Sequence, residues 1–146
     1  MSDLKIRLMT LADAAAVAAL MPDLGYPAET HEIARRFDAL MQWPGEQPFV
    51  AECDGEVIGL CHAQGVRSLA SDGYCEIVAL VVKAAHHRSG VGRALVKVAV
   101  DWAFATGFNR VRLGSGVHRE DAHRFYEAIG FTKSRPGYVF ELRKAA

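Results

Sequence analysis

YCEIVALVVKAAHHRSGVGRAL, residues Tyr74–Leu95, is the stretch whose reading decides the fold. From Tyr74 to Lys83 the chain is almost continuously apolar, as a central strand covered on both faces requires. A short polar loop follows, with glycines in a GxG pattern at Gly90 and Gly92. Apolar residues then recur at helical spacing through Leu95, Val98, Ala99, Trp102 and Ala103, until Gly107 stops the helix. The first turn of a helix has backbone N–H groups without partners and the positive end of the helix dipole. Glycines let a ligand come close to that backbone. His87, Arg88, Ser89, Gly90, Val91, Gly92 and Arg93, with Lys83 adding charge nearby, therefore make an anion site suited to a pyrophosphate.

Downstream, Arg110–Leu113 reads as a further strand and Asp121–Ile129 as a short helix closed by Gly130. Phe131–Ser134 and Tyr138–Leu142 are expected to pair as a terminal hairpin around Arg135-Pro136-Gly137. Upstream, Phe49–Cys53 and Glu56–Ala63 are strand-like runs joined by Asp54-Gly55, a dipeptide suited to a two-residue hairpin because both positions favour positive φ. Lys5–Met9 forms a first strand. Thr10–Asp13 starts an Ala-rich helix ending near Leu20, before Pro22, Gly25 and Pro27 mark a loop. A second helix spans roughly Ala28–Gln42, with Ile33, Phe37, Leu40 and Met41 on one face, and Trp43-Pro44-Gly45 breaks it. The expected order is β-α-α-β-β-β-α-β-α-β-β. That is an α/β (α+β) mixed sheet flanked by helices, in a single domain over residues 1–146.

A chain of 146 residues, 51% of them apolar, is long enough to build one sizeable core. Lys plus Arg and Asp plus Glu both number 17, so nothing in the net charge argues for nucleic acid or an anionic membrane as partner. The charged N-terminus does not read as a signal peptide, and no stretch approaches the roughly 20 apolar residues that span a bilayer. Cys53, Cys61 and Cys75 lie in apolar strand sequence without CxxC spacing, and read as reduced thiols of a cytoplasmic protein.

Other phosphate loops fit less well. GxxxxGK[ST] is absent, and GxGxxG fails at Leu95, with Arg110 where an acidic ribose ligand would be expected. LVVKAAHHRSGVGRAL, Leu80–Leu95, instead resembles the acetyl-CoA motif of the GNAT superfamily, [QR]xxGx[GA] after the central strand, with His87 in the place of the usual Gln or Arg. A second match follows: AHRFYEAIGF, Ala122–Phe131, is similar to the family's A-x-x-[FL]-Y-[EK]-x-x-GF signature, with Arg119 where an Asn is often found. The resemblance implies a mostly antiparallel central sheet whose central strands splay to admit the pantetheine arm. It implies that the backbone of Leu80, Val81 and Val82 binds that arm, and that Arg88–Arg93 wraps the pyrophosphate of acetyl-CoA.

The implied reaction moves an acetyl group to a primary amine. An alkylamine with a pKa of about 10 is almost wholly protonated at pH 7, so a base is needed, directly or through water. Attack creates an oxyanion, best met by a backbone N–H of the central strand. The leaving thiolate then needs a proton. The resemblance makes Tyr126 the acid, placed near the thioester sulfur, with Phe125 beside it as the core aromatic. Glu76, a carboxylate within an apolar strand, is the candidate base. His118 is a possible proton shuttle and His123 a helix-surface residue; five apart, they lack the i, i+4 spacing of a metal face, and no metal is expected. An acetyl-enzyme at Cys75 ranks low, because buried strand cysteines are usually inert.

Leu24-Gly25-Tyr26-Pro27 and SGVHREDAHRFYEAIGF resemble family members that acetylate small molecules such as aminoglycosides or aminophosphonates, which favours a small-molecule amine acceptor. Its pocket is expected between Asp23–Tyr26 and the turn near Arg135–Tyr138. The alternatives are a peptide or protein amine, or a non-catalytic acyl-CoA-binding module. Many relatives dimerise, so a homodimer is compatible with the resemblance, although no interface signal stands out.

Overall fold

The computed structural model describes residues 3–114, 120–134 and 137–145, which fall into two compact units, Met1–Gly114 and Ser115–Ala146. In the first unit, β1 (Leu4–Leu8), β2 (Glu46–Cys53), β3 (Glu56–Val66), β4 (Tyr74–Val82) and β5 (Val111–Leu113) form one five-stranded sheet in sequence order. The first four strands pair antiparallel, and β5 joins β4 in parallel. This is the mixed, mostly antiparallel sheet expected from the sequence. The β2–β3 hairpin turns on Asp54 and Gly55, at φ 51° and 82°.

Helices α1 (Ala14–Leu24) and α2 (Thr30–Leu40) cover one face of the sheet, where Val17, Leu20, Met21 and Ile33 pack on Val50, Leu60 and Val81. Helix α3 (Val91–Thr106) covers the other face with Val91, Leu95, Ala99 and Ala103 buried. Its approach is close: a Cβ on Gly59 of β3 would stand 3.1 Å from Leu95 Cδ1. The register makes the two faces explicit. Cys75 and Ile77 of β4 lie opposite Gly65 and Ala63, on the α3 side, whereas Glu76 lies opposite Gln64, on the α1–α2 side. The β3–β4 register shifts between His62 and Ala63, which pair with Ala79 and Ile77 and leave Val78 as the extra residue of a β-bulge. The faces therefore exchange parity beyond Val78, so that Val81 joins the α1–α2 core.

Three sequence expectations need correction. Helix α1 does not end near Leu20 but runs through Pro22 to Leu24. Pro22 sits in the last turn, where it forgoes a single intrahelical bond, and burial of Leu20 and Met21 outweighs that loss. Strand β2 starts at Glu46, with Pro48 inside it. The Pro48 carbonyl accepts from Met9 N–H at 3.0 Å, so its N–H-less nitrogen faces the side where β1 has already ended and breaks no ladder bond. The terminal hairpin is not seen: residues 131–134 and 137–145 carry no strand, and its turn residues Arg135 and Pro136 lie outside the described residues. Two short strands without a third to support them are marginal.

The second unit contains α4 (Glu120–Ala128). Gly130, at φ 105°, ends it, with Gly130 N–H donating to Glu127 O at 3.1 Å and Phe131 N–H to Tyr126 O at 3.0 Å. This is a Schellman stop, with the rings of Tyr126 and Phe131 meeting edge-on at 6.3 Å. The spacing Tyr-x-x-x-Gly-Phe in AHRFYEAIGF is thus the spacing of a helix terminator.

Candidate active site

Strand β4 is paired along its whole length with β3, but with β5 only at Cys75, Glu76 and Ile77. From Val78 to Val82 its second edge has no strand partner among the described residues. Lys83 N–H donates to Ile58 O on the β3 side at 2.8 Å, so by strand alternation the backbone groups of Leu80 and Val82 turn toward the unpaired edge. The Val82 carbonyl is already taken by His87 Nε2 at 2.8 Å. His87 therefore ties the loop back onto the end of β4. The side chain of Val81 is buried in the core.

That open edge leads through the glycine loop into α3. Arg88 adopts φ 63°, a left-handed conformation that costs a non-glycine residue energy. Gly90, at φ 87°, is the N-cap of α3 and offers no side-chain cap, so the first-turn N–H groups of Val91, Gly92 and Arg93 find no capping partner. Ser89 Oγ donates to the His86 carbonyl. Arg88 and Arg93 are exposed and in no ion pair among the described residues, whereas Lys83 pairs with Glu56 at 3.0 Å. An unpaired strand edge, uncapped amides and two uncommitted guanidinium groups fit a thioester arm that ends in a pyrophosphate.

On the α1–α2 face a row of polar side chains crosses the sheet. Glu46 of β2 pairs in register with Gln64 of β3, Gln64 with Glu76 of β4, and Glu76 with Arg112 of β5. Glu46 anchors the row: its Oε1 lies 2.7 Å from His62 Nε2, and its Oε2 accepts from Gln64 Nε2 at 2.7 Å. The side chains of Glu46 and His62 are only 9% and 16% exposed. Glu76 is half-buried, and Arg112 stacks over the Tyr74 ring at 4.4 Å. His62 also lines a cleft of about 160 Å³ between α1, α2 and the sheet, whose other walls are chiefly apolar and include Met9, Met21, Phe37 and Leu60. Among the described residues Arg36 is the one guanidinium of that lining.

The sequence reading missed Glu46, His62 and Gln64. His62 and Gln64 carried a signal, since two polar residues at i and i+2 share one face of a strand. Their partner Glu46 lay before Phe49, where the strand was expected to begin. The expected acceptor pocket drew on both units and on positions 135–136, which lie outside the described residues, as do His118 and Arg119. Tyr126 and His123 are half-buried on α4. Burial pushes the Cys75 thiol up and that of Cys61 up to about 12, so neither supplies a thiolate near neutral pH. Among the described residues no His, Cys, Asp and Glu cluster is placed to hold a metal, and no helix is long and apolar enough to cross a membrane.

Comparison with known proteins bears directly on this arrangement. The model of the acetyltransferase (GNAT) family matches residues 14–131. The uncharacterized N-acetyltransferase YhdJ of Bacillus subtilis (strain 168) is 32% identical over 114 residues, covering 77% of this chain and 80% of its own. Human N-acetylaspartate synthetase is 30% identical over 91 residues, 62% of this chain but only 29% of that longer protein. A putative acetyltransferase from Agrobacterium tumefaciens str. C58 superposes with a TM-score of 0.86 at 27% identity, covering 94% of this chain and 99% of that one. The aminoglycoside acetyltransferase AAC(6')-Iy, solved with a CoA bisubstrate analogue, shares the fold at a TM-score of 0.85 and 18% identity, over 97% and 99% of the two chains. The chain belongs to the GNAT family of acetyltransferases and is an acetyl-CoA-dependent acyltransferase.

Proposed function

We propose that this protein transfers the acetyl group of acetyl-CoA to a primary amine of a small molecule, by direct attack on the thioester. The observation that carries the reading is the β4 edge that has no strand partner beyond Ile77 among the described residues, running into the uncapped amides at the start of α3. Acetyl-CoA supplies an acetyl group on a good leaving group. The outward backbone groups of Leu80 and the outward N–H of Val82 hold the pantetheine arm, Val81 anchors that segment in the core, and Val91, Gly92 and Arg93 meet the pyrophosphate with their N–H groups. Arg88 and Arg93 add charge there, while His87 and Ser89 shape the loop. The bulge at Val78 frees backbone from the β3 ladder beside this segment, which suits an N–H donor to the developing oxyanion.

Tyr126 gives the leaving thiolate its proton in this reading, on the strength of its position in AHRFYEAIGF. The base belongs to the polar row on the α1–α2 face, which includes Glu76, and the cleft beside it receives the amine. The family model runs from residue 14 to 131 and so spans both units, which supports treating the chain as one domain. Relatives whose names specify N-acetylaspartate or aminoglycosides favour a small acceptor. Three free cysteines suit a cytoplasmic setting, and the protein works without a metal. The test is calorimetric binding of acetyl-CoA beside thiol release across a panel of small amines and peptides. Binding with amine-dependent release supports the reading. Binding without release would make the chain an acyl-CoA-binding module, and release with peptides alone would assign a protein acceptor.

A further inference from the structure

We propose that His62 takes the proton of the acceptor ammonium at Nδ1, with Glu46 as its positioning residue, and that the cleft selects amines carried on an apolar body. The inference rests on the transfer reading above and specifies its acceptor site. An ionised carboxylate only accepts hydrogen bonds, so Glu46 takes the Nε2–H of His62 and leaves the Nδ1 lone pair as the basic site. No partner for Nδ1 occurs among the described residues. Gln64 holds the second oxygen of Glu46, so the carboxylate cannot swing away from the ring. When His62 gains a proton, the adjacent carboxylate stabilises the imidazolium. The location suits a proton acceptor, because His62 lies opposite Ala79, directly beside the bulge at Val78, and its side chain borders the cleft.

The cleft's lining decides the acceptor class. Met9, Met21, Ile33, Phe37 and Leu60 dominate it, and among the described residues no carboxylate lines it. A polycationic amine would lose water there without gaining a counter-charge. An aliphatic or aromatic amine buries its body against these walls and presents its nitrogen to His62. Among the described residues the charged groups around His62 are Glu46 on β2, Glu76 on the same face of β4 and Arg36 of α2 at the cleft; α1 contributes Val17 and Met21 to the lining. Two protons leave the nitrogen overall. The first passes to His62 and on to water. The second, lost as the C–N bond forms and the C–S bond breaks, balances by way of solvent the proton that the thiolate takes.

The experiment measures kcat/KM against pH for wild type, His62→Gln and Glu46→Gln with 2-phenylethylamine and with spermidine, beside acetyl-CoA affinity. Wild type is expected to prefer 2-phenylethylamine by at least about tenfold. His62→Gln should lower kcat/KM on the order of a hundredfold near neutral pH and abolish the low-pH limb while binding acetyl-CoA normally. Glu46→Gln should lower kcat/KM with acetyl-CoA affinity unchanged and release the ring from a fixed Nε2–H tautomer, as ¹⁵N imidazole shifts would read, and Glu46→Asp should restore both in part; a merely structural pair would leave the tautomer in place. An unchanged limb in a folded His62→Gln overturns the assignment while transfer itself stands. Failure of wild type to bind acetyl-CoA, or to release CoA with any amine, overturns the underlying reading instead. A preference for spermidine overturns the acceptor class. Should His62→Gln not fold, the ¹⁵N imidazole shifts of wild type decide: an Nε2–H tautomer supports the proposal and an Nδ1–H tautomer overturns it.

Discussion

Glu46 Oε1 lies 2.7 Å from His62 Nε2, so a carboxylate on β2 sets the orientation of an imidazole on β3 beside the β-bulge at Val78. Glu76 stands on the same face, two register pairs along. With His62 taking the proton, Glu76→Gln should retain the low-pH limb and lower kcat/KM by about tenfold at most. A loss on the order of a hundredfold with disappearance of that limb would assign the proton to Glu76. The pH–rate profile of the single variant separates the two.

The glycine loop can be tested by binding alone. Gly92→Val places a branched side chain on the first turn of α3, where the phosphates approach, and should weaken acetyl-CoA by more than about tenfold with little change in thermal stability. Calorimetry on the folded variant checks it, and unchanged affinity would remove the pyrophosphate from this loop.

Tyr126→Phe keeps the ring that packs on Phe131 and the backbone carbonyl that closes α4. The helix stop should survive, and kcat should fall on the order of a hundredfold with acetyl-CoA affinity unchanged. Full turnover in the variant would mean that solvent protonates the thiolate.

Asp13 offers a stability test remote from the chemistry. Its buried carboxylate forms a bidentate pair with Arg7, at 2.8 and 2.9 Å, and accepts the Thr10 N–H at 2.8 Å. The Arg7 guanidinium holds the Asp13 carboxyl below its ordinary value of 3.8. A depressed native value adds stability above the unfolded value that is lost as pH falls through the native one, so this contribution should fade below about pH 4. Asp13→Asn should cost about 1–3 kcal/mol at neutral pH, less than a fully buried pair because Arg7 is partly exposed. The difference between variant and wild type should shrink in acid, as chemical denaturation at both pH values would show.

Packing between β3 and the segment after α3 is equally specific. A Cβ on Gly65 would stand 2.9 Å from the ring of buried Phe108. Gly65→Ala should therefore destabilise the fold by about 1–3 kcal/mol through overpacking, and Gly65→Ala with Phe108→Leu should recover part of the loss. Equal stability of Gly65→Ala and wild type would show that the ring moves freely.

Elements with local causes could be read from the sequence alone. The apolar run Tyr74–Lys83, the Asp54-Gly55 turn, the glycine loop into α3 and the AHRFYEAIGF helix stop each depend on residues a few positions apart, where periodicity, φ preference and capping act. The family and the cofactor loop followed from them. What the sequence left undetermined depends on register between distant strands. Glu46 meets His62 sixteen positions away only because β2 begins before Pro48, and β2 can do so because β1 ends where the proline nitrogen would otherwise need a partner. The bulge at Val78 decides which face each β4 side chain takes, and among the described residues β5 pairs β4 at Cys75, Glu76 and Ile77 and leaves the edge beyond them without a strand partner. A single-residue shift in pairing inverts every side chain beyond it, and no local pattern encodes that shift. The polar row and the open edge thus belong to the tertiary structure, while the strands, turns and glycine loop were already determined by the sequence.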